Sequence, residues 1–223
     1  MRLEEIAAVI QHTNVNPTAT ERDIVGLCSD AIEFGFNGVM VQPCWIGISR
    51  KQLAGTRVKV CSAMAYPMGG ALTRSKIAEM RHLVEEGVDE IDFMPNLGLL
   101  LSGKPEAFRN EIAGIVEAAQ GRPTKAMLEL EPLSIAERRA AILEAEAGGC
   151  TYVKNSSGWG VGGKATVELI RFMAATATGS RVKASGGIRT KQDAEDILGA
   201  GAILLGTSAG PAIMRGAGGA NSY

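Results

Sequence analysis

The 223-residue sequence predicts an α/β fold, a single-domain TIM (β/α)8 barrel, on three observations. Short apolar or β-branched runs alternate with longer segments of helical period, the pattern of repeated βα units on a parallel sheet. About eight such runs can be counted, the number that closes a barrel within one domain of this size. The runs are apolar almost throughout, as strands covered on both faces require.

Taken in order, the first run is 8–13 (AVIQHT), which carries Gln11 and Thr13. Gly35 is placed to end the next helix in the left-handed conformation, ahead of the run 38–42 (GVMVQ). The third run is 57–63 (RVKVCSA), and Gly87 is a second helix-ending glycine before 90–94 (EIDFM). There, strand alternation puts Ile91 and Phe93 on one side and Asp92 on the other, inside the barrel. The run 125–130 (KAMLEL) precedes a helix announced by the capping box Ser134–Glu137, with Gly148 placed to end it. The last three runs are 151–155 (TYVKN), 181–185 (RVKAS) and 202–206 (AILLG). Residues 1–210 are read as the barrel and 211–223 as a glycine-rich mobile tail.

Composition excludes several classes of function. Lys+Arg 23 against Asp+Glu 24 leaves a net charge of -1 with the basic residues scattered, which predicts neither a nucleic-acid footprint nor a membrane-surface patch. The partner expected is a small metabolite. Cys28, Cys44, Cys61 and Cys150 are widely separated, with no histidine at ligand spacing, so neither a zinc site nor a disulfide framework is expected. The N-terminus carries two glutamates where a signal peptide needs an apolar centre, and no apolar run reaches membrane-spanning length. A soluble, cytoplasmic protein is expected.

The segment VKNSSGWGVGGK (153–164) admits three readings: a mononucleotide loop, a dinucleotide loop, or an amine placed to react with a carbonyl. Gly158–Gly163 satisfies the dinucleotide spacing, but about twenty residues on, where an acidic residue is needed, the chain reads GSRVKAS. The mononucleotide pattern fails because Ala165 stands where a magnesium-binding hydroxyl is required. What remains is a set of backbone N–H groups at Gly158, Gly186, Gly187, Gly206 and Ser208, in loops after consecutive strands. Barrels often bind phosphate in the loops after their seventh and eighth strands.

Lys154 and Lys183 lie in neighbouring apolar runs, where burial disfavours the ammonium form. Placed side by side, their repulsion depresses the pKa of the more buried one, and a neutral lysine amine attacks carbonyls. Asp92 supplies the carboxylate that such buried cations need. A structural ion-pair network remains the alternative.

Several blocks carry a family resemblance: IQHT (10–13), VMVQPCWI (39–46), KVCSAMAYPMGG (59–70), DEIDFMPNLGLLLSG (89–103), KAMLEL (125–130), VKNSSGWGVGGKATVE (153–168), VKASGGIRT (182–190) and GTSAG (206–210). They span essentially the whole chain, and together the sequence resembles the deoxyribose-phosphate aldolases, Schiff-base enzymes on the TIM-barrel fold that use no metal and no other cofactor. The resemblance implies that Lys154 is the Schiff-base lysine, that Lys183 is the second lysine serving proton transfer, and that Asp92 is a proton shuttle. It implies a phosphate cradle at Gly158, Gly186, Gly187, Gly206 and Ser208, with Thr13 and Ser157 as candidates for binding substrate hydroxyls. Many members end in a tyrosine that assists protonation of the enamine, and this chain ends in Tyr223. The thirteen residues from Pro211 extend to about 40 Å, so reach is no obstacle.

The sequence also departs from the family. Gln11 replaces a carboxylate near the lysines. Met40 and Gln42 stand where Cys and Asn are usual, Asn155 replaces a threonine, and Ala209 replaces the second serine of the phosphate loop. Each is a candidate for lining the pocket, which puts the aldehyde acceptor in more doubt than the amine chemistry. The expected reaction is reversible cleavage of 2-deoxy-D-ribose 5-phosphate to acetaldehyde and D-glyceraldehyde 3-phosphate. A related aldolase with a different acceptor and a non-catalytic sugar-phosphate-binding barrel are the alternatives. Barrels of this kind often pair as homodimers, but no interface can be read from the sequence.

Overall fold

The computed structural model describes residues 1–216. Eight parallel strands close into one barrel in chain order: β1 (Ile10–Asn14), β2 (Gly38–Val41), β3 (Lys59–Met64), β4 (Glu90–Phe93), β5 (Thr124–Met127), β6 (Tyr152–Lys154), β7 (Arg181–Ser185) and β8 (Leu204–Thr207). β8 pairs back to β1 through Gln11 and Gly206, so no strand edge is left open.

The main surrounding helices are α2 (Glu21–Phe34), α3 (Ile46–Leu53), α4 (Thr73–Glu85), α6 (Pro105–Ala118), α7 (Ile135–Ala147), α8 (Val167–Thr176) and α9 (Lys191–Gly199). Short helices α1 (Leu3–Ala7), α5 (Leu97–Leu101) and α10 (Gly210–Arg215), with a 3-10 turn at Pro43–Trp45 before α3, complete the set among the described residues. None is long and apolar enough to cross a membrane.

The apolar core lies between the outer strand faces and the helices. Val39, Val41, Ile91, Phe93, Ala126, Val153 and Leu205 point outward and are packed against helix residues such as Ile24, Phe108, Ile112, Ile142 and Ile170. Each strand therefore turns its alternate residues inward. Among the residues turned to the barrel interior are Gln11, Met40, Cys61, Glu90, Asp92, Lys125, Lys154 and Lys183, all of them buried. Met40, Cys61, Ala63 and Val15 form a small apolar cluster of their own, with Tyr66 packed against it.

Helix ends follow their chemistry. Ser134 accepts from the Glu137 N–H while the Glu137 carboxylate accepts from the Ser134 N–H, which is the expected capping box. Gly35 (φ 69°) and Gly87 (φ 82°) take the left-handed conformation as expected. Gly148 does not: it closes α7 in the right-handed conformation (φ -74°), and the next residue, Gly149 (φ 89°), makes the reversal. Residues 210–215, which the sequence reading gives mostly to the tail, form α10 with Ile213 buried. Tyr223 lies outside the described residues.

Candidate active site

Strand register brings the charged residues together. Lys154 of β6 is the direct partner of Lys183 of β7, and Asp92 of β4 is the partner of Lys125 of β5. Partners in a parallel pair point to the same face, so all four side chains converge on the barrel axis.

Asp92 is the hub. Its Oδ2 accepts from Lys154 Nζ at 2.9 Å and from Lys183 Nζ at 2.7 Å, while Lys125 Nζ lies 3.2 Å from Oδ1. One step deeper, Glu90 Oε2 lies 2.8 Å from Lys125 Nζ and accepts from Gln11 Nε2 at 2.9 Å. The other oxygen of Glu90 is paired with Lys59, whose side chain is half-buried at the N-terminal end of the barrel. Gln11 Oε1 completes the ring by accepting from Lys183 Nζ at 2.5 Å.

The electrostatics follow from these contacts. Burial opposes ionisation of Asp92, but Lys154, Lys183 and Lys125 outweigh it and hold the carboxyl far below the usual range. Burial likewise opposes the Glu90 carboxylate, yet Lys125 and Lys59 bring its pKa down to about 2. For Lys125, burial works against the ammonium but is overcome by Asp92, Cys61 and Glu90, and the pKa is raised. Lys183 goes the other way. Burial, with the repulsion of Lys154 and Lys125, outweighs the attraction of Asp92 and lowers its pKa to about 7. Lys183 has no exposed surface, and Lys154 has 5 %.

Above this cluster, at the C-terminal ends of the strands, lies a pocket of about 280 Å³. Lys154 is at its floor, whereas Asp92 and Lys183 lie beneath it. Thr13, Ser157, Gly158, Gly186, Gly187, Gly206 and Ser208 all line the same pocket. Lys164 and Arg189 line it as well and bring positive charge that the sequence reading had not assigned to the site.

The loops around the pocket are held by specific bonds. Asn155 and Ser185 exchange two hydrogen bonds, Asn155 Nδ2 to the Ser185 carbonyl (3.0 Å) and Ser185 N–H to Asn155 Oδ1 (2.9 Å). Glu129, a buried non-glycine residue at φ 43°, turns its carboxylate under the β6–α8 loop and accepts from the N–H groups of Ser157 and Gly162. A Cβ at Gly162 would meet the Glu129 carboxylate carbon at 2.8 Å, so this loop needs glycine in order to wrap the strut. Gly186 (φ 91°) has the same need, since a Cβ there would stand 2.8 Å from the Gly163 carbonyl oxygen.

Two expectations change here. The N–H of Gly158 does not face the pocket unpaired but donates to Ser156 Oγ (2.9 Å), and Ser157 Oγ accepts from Gly160 N–H at 2.9 Å. This loop spends much of its donor capacity on itself. Of Gln11, Met40, Gln42, Asn155 and Ala209, Ala209 alone lines the pocket. Met40 belongs to the interior cluster, Gln42 donates to the Val15 carbonyl (3.1 Å), and Asn155 ties β6 to β7.

The sequence reading missed Lys125, Glu90 and Glu129. Lys125 carried the signal used for Lys154 and Lys183, a lysine inside an apolar strand. Glu90 stands two residues before Asp92, hence on the same face. Glu129 had no comparable signal, because its role depends on a loop whose path the sequence does not show.

A closed parallel barrel that carries a buried lysine-carboxylate cluster under a pocket at the C-terminal ends of its strands defines a TIM-barrel enzyme. No family model matches the chain. It is 39% identical over 225 residues to the deoxyribose-phosphate aldolase of Methanocella arvoryzae, covering 100% of both chains. It is 36% identical over 214 residues to that of Treponema denticola, covering 95% of this chain and 99% of the relative. Among solved structures, a tetrameric deoxyribose phosphate aldolase from Aeropyrum pernix superposes with a TM-score of 0.87 at 31% identity, covering 96% of this chain and 91% of that one. The chain belongs to the deoxyribose-phosphate aldolase family and is a lyase.

Proposed function

We propose that the chain reversibly cleaves 2-deoxy-D-ribose 5-phosphate to acetaldehyde and D-glyceraldehyde 3-phosphate through a Schiff base on Lys154. The observation that carries this reading is that Lys154 alone of the clustered lysines lines the pocket, while its Nζ shares Asp92 Oδ2 with Lys183.

A proton passes from Lys154 to Lys183 across the shared carboxylate oxygen, leaving an amine at the pocket floor. That amine adds to C1 of the open-chain sugar, and loss of water gives a protonated imine. The imine accepts the electron pair of the C2–C3 bond as the C3 hydroxyl gives up its proton and becomes the aldehyde of glyceraldehyde 3-phosphate. The enamine left on Lys154 takes a proton at C2, and hydrolysis releases acetaldehyde and the free lysine. Lys183, with a pKa of about 7, is suited to accept and return these protons near neutral pH. Asp92 stays ionised and orients both nitrogens, which makes it an anchor more than a store of protons.

At the far end of the pocket, Gly186, Gly187, Gly206 and Ser208, together with Lys164 and Arg189, offer an anion site of the right charge for the 5-phosphate. Binding energy from that end orients C1 over the amine. The test compares cleavage of 2-deoxyribose with and without its phosphate. A kcat/KM advantage of about 100-fold or more for the phosphorylated sugar is expected; equal rates would move the function to an unphosphorylated aldehyde.

A further inference from the structure

Gln11 is a neutral side chain, wholly buried, in the middle of a charged network. Its amide has one orientation that fits its partners. Oε1 accepts from Lys183 Nζ at 2.5 Å, while Nε2 donates to Glu90 Oε2 at 2.9 Å and to Asn37 Oδ1 at 3.2 Å. The flipped amide would set an NH2 against the lysine nitrogen and an oxygen against the Glu90 carboxylate. The lysine and Glu90 thus fix the amide from β7 and β4, and Asn37 fixes it from the residue before β2.

The reach from β1 to Lys183 depends on the strand between them. Gln11 is the register partner of Gly206 in β8, and Gly206 is in turn the partner of Ser185 in β7. A Cβ at Gly206 would stand 3.4 Å from Lys183 Cε. The missing side chain leaves the gap through which the Gln11 amide meets the lysine.

The groups that act most strongly on Lys183 can be named, with Glu90 of β4 one step further off across the Gln11 amide. Asp92 faces it from β4, Lys154 from β6, Lys125 from β5 and the Cys61 thiol from β3. β1 contributes Gln11, and β8 contributes no charged group, since Leu204 is the register partner of Lys183 and Gly206 that of Ser185. A carboxylate at position 11 would place a second anion on Lys183 and press a like charge on Glu90. An apolar side chain would take away an acceptor that favours the ammonium. Glutamine supplies the hydrogen bond without the charge.

We propose that Gln11 is a positioning residue for the aldolase reaction, holding Lys183 against Asp92 while leaving it able to lose its proton. This rests on the aldolase reading above, and the test separates the two. Lysine-labelled protein is titrated by NMR, with Lys183→Met assigning the Lys183 signal, in the wild type, Q11E and Q11M. The pH dependence of kcat for deoxyribose 5-phosphate cleavage is measured on the same three proteins.

The expected result is opposite movement. Q11E raises the Lys183 midpoint by about one pH unit or more and carries the acidic limb of kcat upward with it, whereas Q11M lowers both. In Q11M kcat falls by about fivefold or more with KM little changed, the mark of a group that acts after binding. A purely structural role for Gln11 would lower activity in both variants with the limbs unmoved, and that result overturns the proposal. Should Q11E fail to fold, Q11M decides alone: a Lys183 midpoint equal to that of the wild type overturns it. A wild type that cleaves no deoxyribose 5-phosphate takes down the aldolase reading and the reaction role of Gln11 with it. A cleaving wild type with an unresponsive Lys183 takes down only the Gln11 proposal.

Discussion

Lys154 and Lys183 stand on the same rung of the barrel and share one oxygen: Asp92 Oδ2 accepts from the first at 2.9 Å and from the second at 2.7 Å. One lysine lines the pocket and the other is sealed beneath it. A lysine that lines the pocket is thereby joined through a single atom to one sealed beneath it, and the proposed proton transfer between them rests on that link.

Lys183→Met removes the acceptor without touching the pocket. The expected loss in kcat is about 100-fold to 10,000-fold, the usual contribution of a positioned acid–base group, with KM close to the wild type. Steady-state kinetics check it, and a comparable rise in KM would instead make Lys183 a binding residue.

The same variant carries a stability signature. The folded pKa of Lys183, about 7, lies below the ~10.4 of an unfolded lysine, so between those values the folded state holds fewer protons than the unfolded one. Wild-type stability contributed by this group therefore rises as pH increases through that window, and the burial penalty is greatest below it. Urea unfolding of wild type and Lys183→Met across the window is expected to show the advantage of the variant shrinking as pH rises.

Asp92→Asn strands three buried lysines without their shared counter-ion. The expected cost is about 3–5 kcal/mol, the range for breaking a buried pair. Asp92→Asn combined with Lys183→Met is expected to lose less than the sum of the single changes, because one of the stranded cations is gone. Additive losses in a double-mutant cycle would mean that the two groups do not interact.

Gly186→Ala puts a methyl 2.8 Å from the Gly163 carbonyl at a φ of 91°. The loop must shift, and a strained non-glycine residue there costs about 1–3 kcal/mol. The expected result is a KM raised by about tenfold or more for the phosphorylated sugar, with unphosphorylated deoxyribose affected little. Equal effects on both sugars would place the anion site elsewhere.

Glu129→Ala leaves the buried N–H groups of Ser157 and Gly162 without their acceptor. Each orphaned donor costs about 1–3 kcal/mol. Amide exchange across residues 157–163 is expected to accelerate while the barrel strands stay protected.

The barrel was legible because a strand covered on both faces has to be apolar, and the eight runs around the sequence signals have few competing explanations. Lys154, Lys183 and Asp92 were legible for the converse reason, as charges in places where charge is costly. Lys125 carried the same signal, but its meaning depends on the register that sets it opposite Asp92. Gln11 reads in the sequence as a lost carboxylate. Its contact with Lys183, 172 residues away, exists only because the barrel closes through glycine at 206. The Gly158 N–H looked available for an anion, since the local serine bond that takes it up is a matter of loop conformation. The start of α10 was hidden by the glycines around it.

The most direct measurement is peptide-level mass spectrometry after incubation with acetaldehyde and borohydride, beside a Lys154→Leu control. An ethyl group on Lys154 in the wild type, with no such adduct in the control, is the expected result and places the imine on the lysine at the pocket floor. An adduct on Lys183, or one scattered over surface lysines with Lys154 unmodified, would contradict the account.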